Sequence, residues 1–224
     1  MSREVTFDSG TSKGEVSGLL WLPEDATALY ALAHGAGAGM RHAFMEDIAR
    51  AFAERGVATL RYQFPYTEEG RKAPDPAGRL MKTVRAAAER AVSLAPGLPL
   101  FAGGKSMGGR MTSQAQAQEP LLGVRGLIFL GFPLHAPGRE GTERAAHLAD
   151  VDVPMLFLQG TRDKLAGIDS MRTVAERLGD RATLMVVEEG DHSFNVPKRT
   201  GRSREDVIAD LAERAAAWVG EIVG

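Results

Sequence analysis

From its N-terminus the chain alternates short apolar runs with longer stretches in which apolar residues recur every third or fourth position. The runs predict strands at Glu4–Phe7, Val16–Leu22, Leu29–Ala33, Val57–Tyr62, Leu100–Ala102, Gly126–Leu130, Pro154–Leu158 and Leu184–Val187. The first two flank the turn-rich Ser9–Gly14 and are expected to pair antiparallel at a sheet edge. Leu29–Ala33 (LYALA) is nearly continuous in apolar residues, as strands buried on both faces are. Helical spacing appears at Phe44, Ile48 and Phe52, ending at Gly56, and from Leu80 to Val92 ahead of Pro96-Gly97. It recurs at Met107, Met111 and Ala115, from Ile168 to Leu178, and from Val207 to Ile222. Gln63 to Pro76 reads as a loop, and Gly131–Val153 as a short connection with at most one helix around Glu143–Leu148. This alternation predicts one α/β domain, a mostly parallel central sheet with helices on both faces and no large cap domain.

Composition narrows the partners more than the fold. A chain of 224 residues with 44% hydrophobic content can bury one core and need not divide into two domains. Its 27 basic and 29 acidic residues are scattered and nearly cancel, so no nucleic acid partner is expected. There is no cysteine, which excludes disulfides and thiolate metal sites, and the five histidines show no H-x-x-x-H spacing, so no metal is expected. The N-terminal residues lack an apolar leader and the longest apolar runs are too short to span a bilayer. No membrane partner and a cytoplasmic location are expected.

The chemistry gathers around one serine. Gly104-Lys105-Ser106-Met107-Gly108 is G-x-S-x-G, set between a predicted strand and a predicted helix. A nucleophile on so sharp a turn needs neighbours without side chains, and Gly104 and Gly108 leave that room. The N–H of Met107, at the start of the helix, is placed to stabilise an oxyanion. A phosphate loop would need glycine at position 99, where the chain has proline. The loop His34–Gly39 is glycine-rich, but its glycines at 35, 37 and 39 miss the dinucleotide spacing. It fits a backbone loop that passes close to a ligand oxygen, with Ala36 or Gly37 offering the second oxyanion N–H.

In a parallel sheet reactive groups collect at the carboxyl ends of the strands. There the chain places Asp163 after one strand and His192 after the last. Serine is a poor nucleophile until a base takes its proton, so His192 is expected as base and Asp163 as the group that orients it. The loop after Leu130 holds no carboxylate that could replace Asp163. His34 is expected to support the oxyanion loop, and His42, His135 and His147 to be surface or packing residues. Phe64, Tyr66 and Phe132 are expected as pocket walls, and Arg61, Arg110 and Lys198–Arg202 lie near the predicted mouth.

These motifs, HGAGAGM, RYQFPY, GGKSMGGR, QGTRD and GDHSF, occur in the order and spacing of a small α/β-hydrolase. The chain resembles the cap-less dienelactone-hydrolase-like and esterase-like bacterial members. The resemblance implies the α/β-hydrolase fold, no organic cofactor, and a triad of Ser106, Asp163 and His192. The dienelactone enzymes proper carry cysteine where this chain has serine, a departure that weighs against dienelactone as the substrate. The expected activity is that of a serine carboxylesterase acting on a small-molecule substrate, a small or medium acyl ester, through an acyl-enzyme; peptidase, lactonase, thioesterase and cofactor-free perhydrolase activities use the same parts. A binding or scaffold protein that kept the fold without turnover is the rival reading.

Overall fold

The computed structural model describes residues 2–224. Eight strands form one sheet: β1 (Arg3–Asp8), β2 (Glu15–Trp21), β3 (Ala28–Ala33), β4 (Val57–Tyr62), β5 (Leu100–Lys105), β6 (Val124–Leu130), β7 (Met155–Gly160) and β8 (Ala182–Val187). Their spatial order is β1-β2-β4-β3-β5-β6-β7-β8. β1 and β2 pair antiparallel, as do β2 and β4, and the other strands run parallel. The helices are α1 (Ala43–Ala53), α2 (Pro65–Glu68), α3 (Ala77–Leu94), α4 (Met107–Gln118), α5 (Ile168–Leu178) and α6 (Arg204–Val223). The Gly131–Val153 connection carries one 3-10 segment, Glu143–Asp150.

Strand alternation divides the core into two layers. Leu29, Ala31, Leu127, Phe129, Met155 and Phe157 face α3, α4 and α5. Tyr30, Leu32, Ile128, Leu130, Leu156 and Leu158 face α1 and α6. Every residue of β3, β4 and β7 is buried, which is why those stretches are apolar almost without a break. The buried Tyr30 hydroxyl donates to the Ile128 carbonyl at 2.8 Å, fastening β3 to β6 across the serine strand.

Several boundaries differ from the sequence reading by one or a few residues, and two of the differences bear on the site. The Gln63–Pro76 segment contains the single turn α2, started by Pro65 at its first position, where a missing N–H costs nothing. β5 continues past Ala102 to Lys105, because Gly103 and Gly104 keep register with Leu32 and Ala33 of β3. Glycine gives no apolar signal, yet its backbone extends the ladder to the residue before Ser106. No helix among the described residues is long and apolar enough to cross a membrane.

Candidate active site

Ser106 stands between β5 and α4 at a point where three segments of backbone crowd together. A Cβ on Gly104 would lie 2.1 Å from the Ala33 carbonyl oxygen, and one on Gly108 2.6 Å from the same atom. The turn forces Ser106 itself to φ 51°, ψ −113°. A residue with a side chain in such a conformation stores about 1 to 3 kcal/mol of strain. The close packing of Gly104 and Gly108 on the Ala33 carbonyl holds that conformation and keeps the hydroxyl above the edge of the sheet.

His192 reaches Ser106 from the loop after β8. Asp191 shapes that loop by accepting the N–H groups of Ser193 and Asn195 at 2.8 and 2.9 Å, so it is a turn former. The His192 Nε2 lies 2.8 Å from Ser106 Oγ, and its Nδ1 lies 2.7 Å from Asp163 Oδ2. Asp163, 5% exposed, also accepts Gln159 Nε2 at 2.6 Å on Oδ2 and the Leu165 N–H at 2.8 Å on Oδ1. Because an ionised carboxylate only accepts, the ring nitrogen facing it, Nδ1, carries the proton. Nε2 is then free to take the hydroxyl proton.

Two N–H groups border the serine. Met107 is the first residue of α4, so no carbonyl of that helix accepts its N–H. Ala36 is exposed at the tip of the Gly35–Ala38 turn, which is closed by the Ala38 N–H on the Gly35 carbonyl at 3.2 Å. Gly37, the other candidate from sequence, is already engaged: its N–H donates to the Tyr66 hydroxyl at 3.1 Å. That contact occupies the Gly37 N–H. His34 anchors the loop from below, with Nδ1 at 2.8 Å from the Gly35 carbonyl and Nε2 accepting the Phe64 N–H at 3.3 Å. Burial lowers its pKa to about 4, so it stays neutral at physiological pH.

Residues 26–220 match the family model described as the alpha/beta hydrolase domain. The chain belongs to the alpha/beta hydrolase family. Among solved structures, a lid-less α/β serine hydrolase from Xanthomonas campestris matches at TM-score 0.74 and 23% identity, over 97% of this chain and 94% of the other. Dienelactone hydrolase from Anabaena variabilis matches at TM-score 0.75 and 20% identity, over 99% and 98%. Est1E from Butyrivibrio proteoclasticus matches at TM-score 0.75 and 14% identity, over 98% of each chain. At these identities the likeness is one of fold.

In this α/β-hydrolase the pocket walls are not the expected ones. Phe64 and Tyr66 are 0% exposed and Phe132 is 1% exposed, so none of the three lines a cleft. Phe64 and Tyr66 stack on each other beneath His34, and Phe132 packs against Phe129 and Phe157. They cover the carboxyl edge of the sheet and belong to its core. Ser106 instead opens onto two clefts that share Ala36, Ser106 and Leu165. The larger, about 500 Å³, has Phe44, Met45, Lys105 and His192 in its walls. The smaller, about 310 Å³, is bounded by Leu80, Met107, Arg110, Met111, Pro133 and Arg144.

His42 caps α1 by accepting the Phe44 N–H at 3.2 Å, His135 bonds the Ala136 carbonyl, and His147 bonds the Ser113 hydroxyl. Arg61 is 1% exposed and donates to the Met40 carbonyl, so it holds a loop from within the core and does not reach the mouth. Arg199 and Arg202 pair with Glu189 and Asp210. Among the described residues no group of three or more histidines and carboxylates could hold a metal ion.

Lys105 is a site residue that motif reasoning passes over, although strand alternation puts it on the same face as Phe101, toward α1. Its Nζ donates to the His192 carbonyl at 2.6 Å and sits 6.0 and 5.6 Å from the centroids of Phe44 and Phe194. Burial lowers its pKa to about 8, against the opposing pull of Asp163 and Asp191. Between pH 8 and 10.5 the unfolded chain therefore binds a proton at Lys105 that the native state has released, and native stability gains as pH rises. The stability of Lys105→Met relative to wild type should accordingly fall by about 2 to 3 kcal/mol between pH 7 and pH 10.5. Urea unfolding of both proteins across that range checks it; a pH-independent difference would show that Lys105 titrates normally.

Proposed function

We propose that this α/β-hydrolase is a serine carboxylesterase working through an acyl-enzyme. The observation that carries the reading is the unbroken hydrogen-bonded line from Ser106 Oγ through His192 to Asp163, with the serine at the junction of two open clefts. Ser106 Oγ attacks the ester carbonyl carbon while His192 Nε2 takes its proton, and Asp163 stabilises the imidazolium that forms. The N–H groups of Ala36 and Met107 hold the charge that develops on the carbonyl oxygen, each contributing about 3 kcal/mol. His192 then passes its proton to the departing alcohol, and a water molecule activated by the same imidazole releases the acid.

Proton transfer also distinguishes the two clefts. A leaving group must receive its proton from His192, so the alcohol portion occupies the larger cleft, whose wall His192 forms. The acyl portion lies in the smaller one. The related Est1E holds ferulic acid in one of its structures, a carboxylic acid of the kind that ester cleavage releases. A scaffold role would be favoured by a filled cleft or an imidazole turned from the serine, and this chain has an open cleft and an imidazole on the serine.

Intact-mass analysis after exposure to a fluorophosphonate probe tests the reading. Wild type should gain one adduct and Ser106→Ala none. Correctly folded wild type that stays unlabelled would put the scaffold reading ahead.

A further inference from the structure

The smaller cleft holds two cations that the chain leaves unneutralised. Arg110 projects from α4, one turn beyond the serine, and its buried Nε has no hydrogen-bond partner. Arg144, from the 3-10 segment, donates to the neutral carbonyl of His135 at 2.9 Å. Neither forms a salt bridge among the described residues, whereas Arg71, Arg79, Arg199, Arg202, Arg204 and Arg214 each pair with a carboxylate. The two guanidiniums also act against each other, since burial and the charge of Arg144 together lower the Arg110 pKa. Asp75 is the acidic residue in the wall, and its Oδ1 already accepts Arg71 and Arg79 at 2.8 and 2.9 Å. The cleft is therefore positive, in an otherwise apolar wall of Leu80, Met107, Met111 and Pro133.

A partly buried guanidinium without a counter-ion is unfavourable in the empty protein and becomes favourable when an anion arrives. We infer that this cleft is an acyl subsite for chains ending in a carboxylate, with Arg110 and Arg144 as the groups that bind that carboxylate. The substrate class is then the half-ester of a dicarboxylic acid: methylenes lie along Leu80 and Met111, and the free acid meets the two arginines. The inference rests on the proposed esterase reading for the assignment of the acyl side, but the anion site itself does not need turnover.

The experiment compares kcat/KM for mono-4-nitrophenyl adipate and 4-nitrophenyl hexanoate, esters of equal chain length that differ in the terminal charge. Wild type should prefer the half-ester. The preference ratio should fall about tenfold in Arg110→Met and recover in large part in Arg110→Lys, as expected for one charge-assisted contact. A wild-type ratio of one or below, or a ratio unchanged in Arg110→Met, overturns the subsite while leaving the esterase reading intact. Absence of turnover with both esters would remove the esterase reading instead. Titration of Ser106→Ala with monomethyl adipate, followed by NMR, then decides the subsite alone: saturable binding that Arg110→Met weakens about tenfold supports it, and no binding overturns it. Should Arg110→Met fail to fold, the wild-type ratio and the titration of Ser106→Ala still separate a carboxylate subsite from a merely apolar one.

Discussion

Asp163→Asn should lower kcat by about 10⁴-fold while the protein remains folded. The reason lies in which nitrogen of His192 carries the proton. Asp163 offers only acceptors, and Oδ2 takes both the imidazole Nδ1 and Gln159 Nε2. Asparagine must put its carbonyl oxygen or its NH₂ at that position. Turned one way, the oxygen keeps its contacts to the ring and Gln159 but the charge that stabilises the imidazolium is gone; turned the other, with the oxygen on the Leu165 N–H 2.8 Å from Oδ1, the NH₂ faces the ring. His192 Nδ1 then becomes the acceptor, the proton moves to Nε2, and the ring can no longer take the hydroxyl proton of Ser106.

Gln159 adds a second, smaller consequence. Its amide cannot turn to suit an NH₂ that faces the ring, because its Oε1 accepts the Phe132 N–H at 2.9 Å. Two donors therefore meet in a buried place, and stability should fall by about 1 to 3 kcal/mol. The measurements are kcat/KM on a 4-nitrophenyl ester, the rate of fluorophosphonate labelling, and a urea midpoint. An Asp163→Asn enzyme within tenfold of wild type in both rates would mean that another group orients His192.

Whether a residue can be placed from the chain alone depends on whether its position is fixed locally. The strands are legible because β3, β4 and β7 are buried on both faces, which leaves nearly uninterrupted apolar runs. Ser106, Asp163 and His192 can be grouped in advance because each follows a different strand of a parallel sheet, and such loops share one edge; the structure brings them within hydrogen-bond distance. Phe64, Tyr66 and Phe132 are misplaced by the sequence because an aromatic residue near the site carries no mark of whether it faces the cleft or the core. Here the edge of the sheet needs covering, and tertiary packing takes all three. Gly37 is ambiguous for a similar reason: the loop spacing permits either N–H, and a hydroxyl distant in sequence, that of Tyr66, takes the one on Gly37. Arg61 and Arg110 look alike as charges near the mouth, yet one is sealed in the core and the other lines the smaller cleft.

Gly104→Ala should be one of the two most damaging substitutions of a single methyl group ahead of Ser106, beside Gly103→Ala, whose Cβ would stand 2.0 Å from the Ile128 carbonyl oxygen. The Cβ added at Gly104 would stand 2.1 Å from the Ala33 carbonyl oxygen and 2.9 Å from the Ala33 nitrogen, both backbone atoms of the neighbouring strand. Backbone cannot rotate aside as a flexible side chain can, so β3 or β5 must shift and break the register that joins Gly104 to Ala33. Gly104 also sits at φ +148°, a conformation closed to alanine without strain. Clash and strain together should cost more than about 4 kcal/mol, a large part of what a domain of this kind has to lose. Gly108→Ala meets the same carbonyl at 2.6 Å from the helix side and should follow it, and any folded fraction should label slowly because the Ala36 and Met107 N–H groups are pushed apart. Gly78→Ala is the internal comparison: it lies in α3 with nothing within 4 Å of a new Cβ, so it should be neutral or stabilising by up to about 1 kcal/mol. Urea unfolding of the three variants separates the cases. A Gly104→Ala protein with a wild-type midpoint would mean that the close packing of β3 against the serine turn is not what holds Ser106 in place.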